Sequence, residues 1–407
     1  MGASATLLAA CSSAGGGSVS SGSTGLAADL RPTPNPAFDA WLAAFRGRAR
    51  AKGVSEATLN SGLAGAGFLP GVVTRDRNQT EFKRSLEDYL AIVAREDKVT
   101  FGRRRYSQYR GTLNAIEARY GVPSHIMAGI WGVESYFGSR RGEIPVISAT
   151  ATLAFDGRRG AFFEAQLVSA LKILQNGDTT LPNLKGSWAG AMGHTQFIPT
   201  TFDLYAVDFK GDGRRDMWSD DPTDSLASVA NHFAKSGWRR GEPWGYEVAL
   251  PAGFNTSVAG RGRYRSLSSW SGLGIRKPGG GALTGPGNAA LLAPAGAGGP
   301  GFLVFRNFDV FLKYNQSENY AIGVGYMSDR MQGGGPLKGS FGADRTGLTQ
   351  ADRKELQQRL TRAGYDAGTA DGVLGSKSEA AIAAYQRANG LAVTGQPSRA
   401  LLQALRG

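Results

Sequence analysis

The sequence predicts a mainly α-helical protein, α+β overall, with a small β-containing insertion and a separate C-terminal helical module. Apolar residues recur at helical spacing along most of the 407-residue chain. The section from about 245 to 310 differs, because it combines short strand-like runs such as "YEVAL" and "GFLVF" with many glycines and prolines. A glycine-rich stretch then precedes the last segment. We therefore predict folded domains at 36–332 and 348–407, joined by a linker at 333–347.

The helices are predicted from their apolar periodicity and their end signals. In "FDAWLAAFRGRARAKG" the apolar positions 38, 41, 42 and 45 share one face, and Gly53 is the expected stop. Further helices are expected in "TEFKRSLEDYLAIVA", "RGTLNAIEARYG", "SHIMAGIWGVESYFG", 161–175, 223–236 and "YNQSENYAIGVGYMSDRM". In the last domain, Thr349 is the expected N-cap of "QADRKELQQRL", and two further helical runs complete a three-helix unit.

The N-terminal segment contains the single cysteine, Cys11, so an intramolecular disulfide is excluded. The stretch "ATLLAACSSAGGG" resembles the end of a bacterial lipoprotein signal peptide, in which the cysteine is lipidated. The usual basic segment is missing, which predicts that the true start lies upstream. We thus expect a signal at 1–11, a disordered tether at 12–35, and a periplasmic lipoprotein anchored to the outer membrane. The alternative is a chance cysteine in a disordered tail.

The formal net charge of +13 favours polyanionic partners. Nucleic acid is not expected, because the chain has neither zinc-finger spacing nor an aromatic-rich RNA-binding signature. Most of the basic residues are expected on a solvated surface. An acidic polymer remains the partner class that the charge favours.

The stretch "GIWGVESYFG", residues 129–138, places one carboxylate, Glu134, among apolar residues. Ser124 is the expected N-cap and Gly138 the expected stop of this helix. Helical geometry puts Glu134 at the edge of the apolar face, where burial disfavours the anion. A carboxyl group of this kind can protonate a glycosidic oxygen. The alternative is a structural ion pair with Arg140 or Arg141.

A second stretch, "GSWAGAMGHTQFIPTTF" at 186–202, is rich in small residues that permit close approach to a ligand. Gln196 offers a donor and an acceptor, as sugar hydroxyls and N-acetyl groups require. Trp188 and Phe197 are expected either against sugar faces or in the core.

Four blocks, "GVESYFG", "GAMGHTQFIPTTF", "VANHFAKSGW" and "YNQSENYAIGVG", occur in an order that resembles the membrane-bound lytic murein transglycosylase B family. The resemblance runs from about residue 36 to 332. It implies a lysozyme-like catalytic domain that cleaves the β-1,4 bond between N-acetylmuramic acid and N-acetylglucosamine without water. The product would end in 1,6-anhydro-N-acetylmuramic acid. Residues 349–405 resemble a three-helix peptidoglycan-binding domain. The implied partners are glycan strands and proteins of cell-wall synthesis or turnover.

The resemblance also implies roles for individual residues. Glu134 would act first as the acid and then as the base. Tyr314, beside Asn315, would bond to the glutamate carboxyl, with a core tyrosine as the alternative. The remaining residues implied as substrate contacts are Ser187, Gln196 and Tyr320, together with Arg158 and Arg159 for the carboxylates of the peptide stem. Phe197 joins this set for its ring, which is able to pack on a sugar face, and not through the resemblance. An ion pair is the alternative for the two arginines. His232 stands where the family usually has a cleft tyrosine.

Two rival functions remain open. A hydrolytic muramidase would need a second carboxylate, for which Glu143 or Asp156 is the nearest in sequence. A non-catalytic wall-binding protein would carry Glu134 without using it. The two are distinguished by the product formed and by the effect of replacing Glu134.

The stretch "DFKGDGRRDMWSDDPTD", at 208–224, follows part of the EF-hand spacing. Asp208, Asp212 and Arg214 fall at positions 1, 5 and 7, and the resemblance adds Asp224. However, Lys210 falls at position 3. We expect no required cofactor, with a structural Ca²⁺ and a metal-free loop as the two alternatives. A catalytic zinc is not expected, because the chain has only three histidines and one cysteine as candidate ligands of that type.

Overall fold

The computed structural model describes residues 25–78 and 84–407, in which helices predominate. Cys11 lies outside these residues. The N-terminal half contains α1 (Pro36–Ala51), α2 (Glu56–Leu63), α3 (Pro70–Arg77), α4 (Leu86–Val93), α5 (Glu96–Gln108), α6 (Arg110–Tyr120), α7 (Ser124–Ser135), β1 (Ile144–Pro145), α8 (Val146–Asp156), α9 (Gly160–Gln175), β2 (Lys185–Gly186) and α10 (Pro199–Tyr205). Within these described ranges, no helix is long and apolar enough to cross a membrane.

The second half continues the helical body and adds the predicted insertion. Its elements are α11 (Thr223–Lys235), β3 (Gly245–Val248), β4 (Arg265–Ser266), α12 (Leu267–Gly272), β5 (Asn288–Leu292), β6 (Gly301–Val304), α13 (Arg306–Tyr314), α14 (Glu318–Met331), α15 (Gln350–Arg362), α16 (Ser376–Ala388) and α17 (Arg399–Arg406). Strands β3 to β6 form one antiparallel sheet in the order β3-β6-β5-β4. The mainly α fold with a small β insertion is thus confirmed.

The centre of the larger domain, at 36–332, is the packing of α7 against α14. Almost every residue of α7 is buried, because small residues let neighbouring chains approach it closely. At Gly129, an added Cβ would overlap the hydroxyl of Ser328 on α14. Glycine therefore sets the distance between these two helices.

The ends of α7 differ from the prediction. Pro123, rather than Ser124, is the capping residue, and the Ser124 amide donates to Glu117 Oε2 at 2.8 Å. The helix ends at Ser135 instead of reaching Gly138, because Tyr136 and Phe137 adopt left-handed backbone angles with φ of 52° and 55°. This turn directs the Phe137 ring into the core.

The predicted helix over "YNQSENYAIGVGYMSDRM" is interrupted. Tyr314 ends α13, and Ser317 caps α14 by accepting the Tyr320 amide at 3.3 Å. Asn315 Oδ1 accepts the Ser317 amide at 3.0 Å. A serine cap and an Asn turn stabilise this break, as their preference for such positions explains.

The C-terminal module has its own core and contacts the larger domain. Thr349 and Asp352 form the capping box that begins α15. Arg353, on the same helix, is buried and bonds to Glu87 and Asp88 of α4. It also bonds to Asp344 in the linker at 2.8 Å. One arginine thus joins the module, the segment that precedes it and the larger domain.

Candidate active site

Glu134 lies near the C-terminal end of α7 and is only 7 % exposed. The hydroxyl of Tyr320, on α14, donates a hydrogen bond to its Oε1. Burial and the neighbouring charge of Glu134 raise the pKa of Tyr320 well above its usual range. The phenol therefore keeps its proton and acts as the donor. This contact fixes one oxygen of the carboxyl group and leaves the side chain at the boundary of the core, as the helical pattern predicted.

Burial and the charge of Glu134 also raise the pKa of Tyr314 well above its usual range, so this tyrosine lies close to the glutamate. The hydroxyl of Tyr314 donates to the carbonyl oxygen of Thr195, and its ring stacks on that of Tyr320 at a centroid distance of 6.2 Å. The resemblance placed Tyr314 beside the glutamate and Tyr320 along the cleft, and the hydroxyl of Tyr320 is the donor to Glu134 Oε1. Tyr314 instead connects α13 to the segment containing Gln196.

The segment 187–197 is held by a dense set of turns. Ser187 Oγ accepts the amides of Ala189 and Ala191 at 3.3 and 3.1 Å, so its hydroxyl closes a turn. Gln196 has a left-handed backbone with φ of 51°, and its Nε2 donates to the carbonyls of Arg141 and Gly193. Non-glycine residues in this conformation are strained and concentrate at functional sites. Gln196 retains partial exposure.

Phe197 is corrected as a substrate contact. Its side chain is 1 % exposed, and its ring packs against Tyr314 and His232 at 5.9 and 6.0 Å. A ring with no accessible face cannot stack on a sugar. The core alternative therefore holds for Phe197, and its packing supports the two residues around it.

His232 lies in the same aromatic cluster and is also buried. Its ring stacks on Tyr205 with centroids 4.0 Å apart, and its Nδ1 has no hydrogen-bond partner among the described residues. Burial lowers the pKa of His232 to about 4, so the imidazole is neutral. The residue fills the position expected of a tyrosine ring, mainly by packing.

A network around His194 was not foreseen from the sequence. The indole of Trp131, on α7, donates to His194 Nδ1 at 3.1 Å, and Ser135 Oγ donates to the His194 carbonyl. His194 Nε2 lies 2.7 Å from the Ser219 carbonyl, which makes Nε2 the protonated nitrogen. Burial lowers the pKa of His194 to about 4. The network ties the segment before Gln196 to the helix that carries Glu134.

Arg158 and Arg159 both bind one buried carboxylate, Asp76. Arg159 Nη2 lies 2.9 Å from Asp76 Oδ1, and Arg158 bonds to both of its oxygens. Burial alone would raise the pKa of Asp76, but these arginines outweigh it and lower the value. This contact favours the ion-pair alternative, since the two guanidinium groups are already partnered.

The acidic loop, residues 208–221, leads into α11. Ligand atoms of Asp208, Asp212 and Asp224 lie within 4.8 Å of one another. The ammonium of Lys210 enters the same region, 3.4 Å from Asp212 Oδ2. Arg141 binds the end of the loop, donating to the carbonyls of Trp218 and Ser219. Because Arg141 also accepts a hydrogen bond from Gln196, the loop supports the segment that contains Gln196.

Comparison with known proteins agrees with this architecture. A family model described as the transglycosylase SLT domain matches residues 37–329, and one described as a putative peptidoglycan binding domain matches residues 349–405. Membrane-bound lytic murein transglycosylase B of Escherichia coli K12 is 37 % identical over 235 residues, which cover 56 % of this chain and 62 % of that protein. The match thus spans less than two thirds of that relative.

Solved structures extend the comparison. SltB3 from Pseudomonas aeruginosa, in complex with NAG-anhNAM-pentapeptide, is 45 % identical, with a TM-score of 0.73 and coverage of 92 % of this chain and 100 % of that chain. Slt35 from Escherichia coli, in complex with calcium, is 30 % identical, with a TM-score of 0.61 and coverage of 73 % and 93 %. The chain therefore belongs to the transglycosylase SLT domain family and carries a C-terminal domain of the peptidoglycan-binding type.

Proposed function

We propose that this chain cleaves the β-1,4 bond between N-acetylmuramic acid and N-acetylglucosamine in peptidoglycan and forms 1,6-anhydro ends. The observation that carries the proposal is the carboxyl group of Glu134, which is nearly buried at the edge of the core and is oriented by a hydrogen bond from Tyr320. SltB3, which shares 45 % of its residues with this chain, was solved with NAG-anhNAM-pentapeptide. An anhydro sugar of that kind is the product proposed for this chain.

Glu134 performs two proton transfers in this scheme. As the acid, it donates a proton to the glycosidic oxygen while the bond from that oxygen to C1 of the muramic sugar breaks. As the carboxylate, it then accepts the proton of the C6 hydroxyl while that oxygen bonds to C1. Glu134 ends protonated and no water is consumed. The intramolecular attack benefits from a high effective concentration of the hydroxyl.

The contacts of the other candidate acids support a mechanism with one carboxylate. Glu143 is largely exposed and pairs with Lys185 at 3.2 Å. Asp156 pairs with Arg77 at 2.7 Å. Hydrolysis by two carboxylates needs both groups to flank the bond. Neither residue is held toward Glu134 by these contacts, so the hydrolytic alternative is less well supported.

The C-terminal module supports the choice of substrate. A wall-binding domain joined to a catalytic domain raises the local concentration of glycan around the active site. The net charge of +13 suits a polymer whose peptide stems carry carboxylates. The proposed partner is thus the peptidoglycan strand, and recruitment by wall-synthesis or turnover proteins is part of the same proposal.

For localisation, we propose the cell envelope, with a lipid on Cys11 as the anchor. The E. coli relative is named as membrane-bound, and the Gly/Ser-rich tether after Cys11 would let an anchored enzyme reach the wall. Fractionation of cells producing the protein or Cys11→Ala tests this. The substituted protein should move to the soluble fraction, and its retention in the membrane would refute the anchor.

The activity is tested by mass spectrometry of muropeptides released from purified sacculi. The unsubstituted protein should release products one water lighter than reducing-end muropeptides, and Glu134→Gln should reduce their release by roughly a thousandfold. Glu143→Gln and Asp156→Asn are the matched controls and should retain activity. Reducing-end products would establish a hydrolase instead. Binding without release by the unsubstituted protein would establish a wall-binding protein.

A further inference from the structure

We infer that Lys210 is a built-in cation that replaces Ca²⁺ in the acidic loop, so that the loop is ordered without metal. Its Nζ lies 3.4 Å from Asp212 Oδ2, 3.7 Å from Asp221 Oδ2 and 4.0 Å from Asp216 Oδ2. Three carboxylates from separate parts of the loop therefore meet at one ammonium group. A divalent cation would make the same kind of cross-link through its oxygen ligands.

The EF-hand positions of this loop do not supply the set of six to eight oxygen ligands that Ca²⁺ takes. The EF-hand spacing puts Lys210 at position 3, where a ligand oxygen is needed, and Ser219 at position 12, where a bidentate glutamate is needed. Asp208, Asp212 and Asp224 still offer ligand atoms within 4.8 Å of one another, but Asp216 and Asp221, the other carboxylates nearby, already contact the ammonium group. A bound ion would also face the ammonium group, which already contacts Asp212.

The loop's own amides supply further compensation for the carboxylates. Asp208 accepts the amides of Gly211, Asp212 and Gly213 at 2.6 to 3.2 Å. Asp224, fully buried, accepts three further amides at 2.9 to 3.2 Å. Backbone donors and one lysine thus replace the interactions that a metal would make with these groups.

The order of this loop matters for the active site. Ser219 presents its carbonyl oxygen to both Arg141 and His194, the latter at 2.7 Å. Arg141 in turn presents its own carbonyl to Gln196 Nε2 at 3.0 Å. A loop that loses its central cation would loosen this chain of contacts. Lys210 is therefore a positioning residue for the segment around Gln196.

The first test compares the thermal unfolding of the unsubstituted protein in EDTA and in millimolar CaCl₂. We expect the same Tm in both and no calorimetric binding of Ca²⁺. A Tm that rises with Ca²⁺, or a saturable heat of binding, overturns the inference. This arm needs no variant and therefore does not depend on how a substitution affects folding.

The second test uses two substitutions of Lys210. Lys210→Met keeps the aliphatic length but removes the cation, and should lower the Tm by about 2–4 °C with or without Ca²⁺. Lys210→Asp adds an oxygen ligand at position 3, and Ca²⁺ should raise its Tm in a saturable manner. Lys52→Met, at an exposed position, is the control and should be unchanged.

Turnover on sacculi gives an independent readout. In Lys210→Asp, Ca²⁺ should restore kcat lost in EDTA, while sacculus binding by the C-terminal module stays constant. A Lys210→Met protein with unchanged Tm and kcat would overturn the inference. So would a Lys210→Asp protein that gains no Ca²⁺ response. A complete lack of turnover in the unsubstituted protein would refute the proposed function. The comparisons of Tm would still test the role of Lys210, because they do not depend on activity.

Discussion

The hydroxyl of Tyr320 donates a hydrogen bond to Glu134, which lies 186 positions earlier in the sequence. Tyr320 lies on α14 and Glu134 on α7, the two helices at the centre of the catalytic domain. The donor and the acceptor are therefore held by core packing and not by a loop. Such support restricts the carboxyl group to one orientation before substrate arrives, which is the condition for efficient proton transfer.

Removing this donor should slow the chemical step. We expect Tyr320→Phe to lower kcat on sacculi by about ten- to a hundredfold, because a hydrogen bond to a charged group contributes about 1.5–3 kcal/mol. KM should change little. Tyr326→Phe, on the same helix, is the control. An unchanged kcat in Tyr320→Phe would show that the contact does not orient the catalytic carboxyl group.

Gly193 should tolerate no side chain. Its φ is 68°, and an added Cβ would overlap the carbonyl of Met217. Gly211 has a similar φ of 75° but open space around it. We expect Gly211→Ala to cost about 1 kcal/mol and Gly193→Ala more than about 3 kcal/mol of unfolding free energy, measured by urea denaturation. Equal losses of unfolding free energy in the two variants would mean that the strain of a positive φ, and not the overlap with Met217, accounts for the cost at Gly193.

Asp329 should make stability fall as pH rises. Burial raises its pKa to about 7, and Trp244 Nε1 donates to it at 3.3 Å. Between the unfolded value near 4 and the folded value near 7, the folded state binds more protons, so raising the pH destabilises it. Asp329→Asn removes this effect, and should add on the order of 1–3 kcal/mol at about pH 8 and little at about pH 4.5.

The comparison between variant and unsubstituted protein is needed because the histidines act oppositely. Burial lowers the pKa values of His125, His194 and His232 to about 4, so their contribution is lost as pH falls from about 6.5 toward 4. The histidine contributions are the same in both proteins, so they cancel when the unfolding free energy of the unsubstituted protein is subtracted from that of Asp329→Asn. Asp39→Asn, at an exposed position, is the control. A gain for Asp329→Asn that is equal at both pH values would contradict the assignment.

The C-terminal module should be released by changes on α4. Arg353 is buried between Glu87 and Asp88. Because unpairing a buried charge is costly, Glu87→Gln with Asp88→Asn should weaken the docking while leaving both cores intact. We expect faster proteolysis within 333–347 and a larger radius of gyration in solution. Glu379→Gln, exposed on the module, is the control; an equal response there would argue against docking through Arg353.

Local signals in the sequence predicted helices such as α1 and α9, the capping of α15 and the placement of Glu134 at the edge of the core. Each depends on neighbours along the chain, where spacing and end residues carry the information. The hydrogen bond from Tyr320 to Glu134 was not foreseen, because it joins two helices that are far apart in the sequence. The bond between Trp131 and His194 joins two quoted motifs, yet no spacing within either motif indicates it.

Phe197 illustrates the same limit. Its motif placed it near the site, and the structure places it there, but with its ring turned into the core. Sequence position fixes which segment approaches a cleft. Which face of the segment meets solvent depends on the backbone angles at Gln196, which no side-chain pattern specifies.

The close contact of α7 and α14 at Gly129 has a consequence for inactivation by heat. In many enzymes the catalytic groups lie on mobile loops and fail before the body of the protein unfolds. Here the acid and its hydrogen-bond donor lie on the two helices that meet closely at Gly129. Catalysis should persist up to the temperature at which the domain melts, and then disappear in the same cooperative transition.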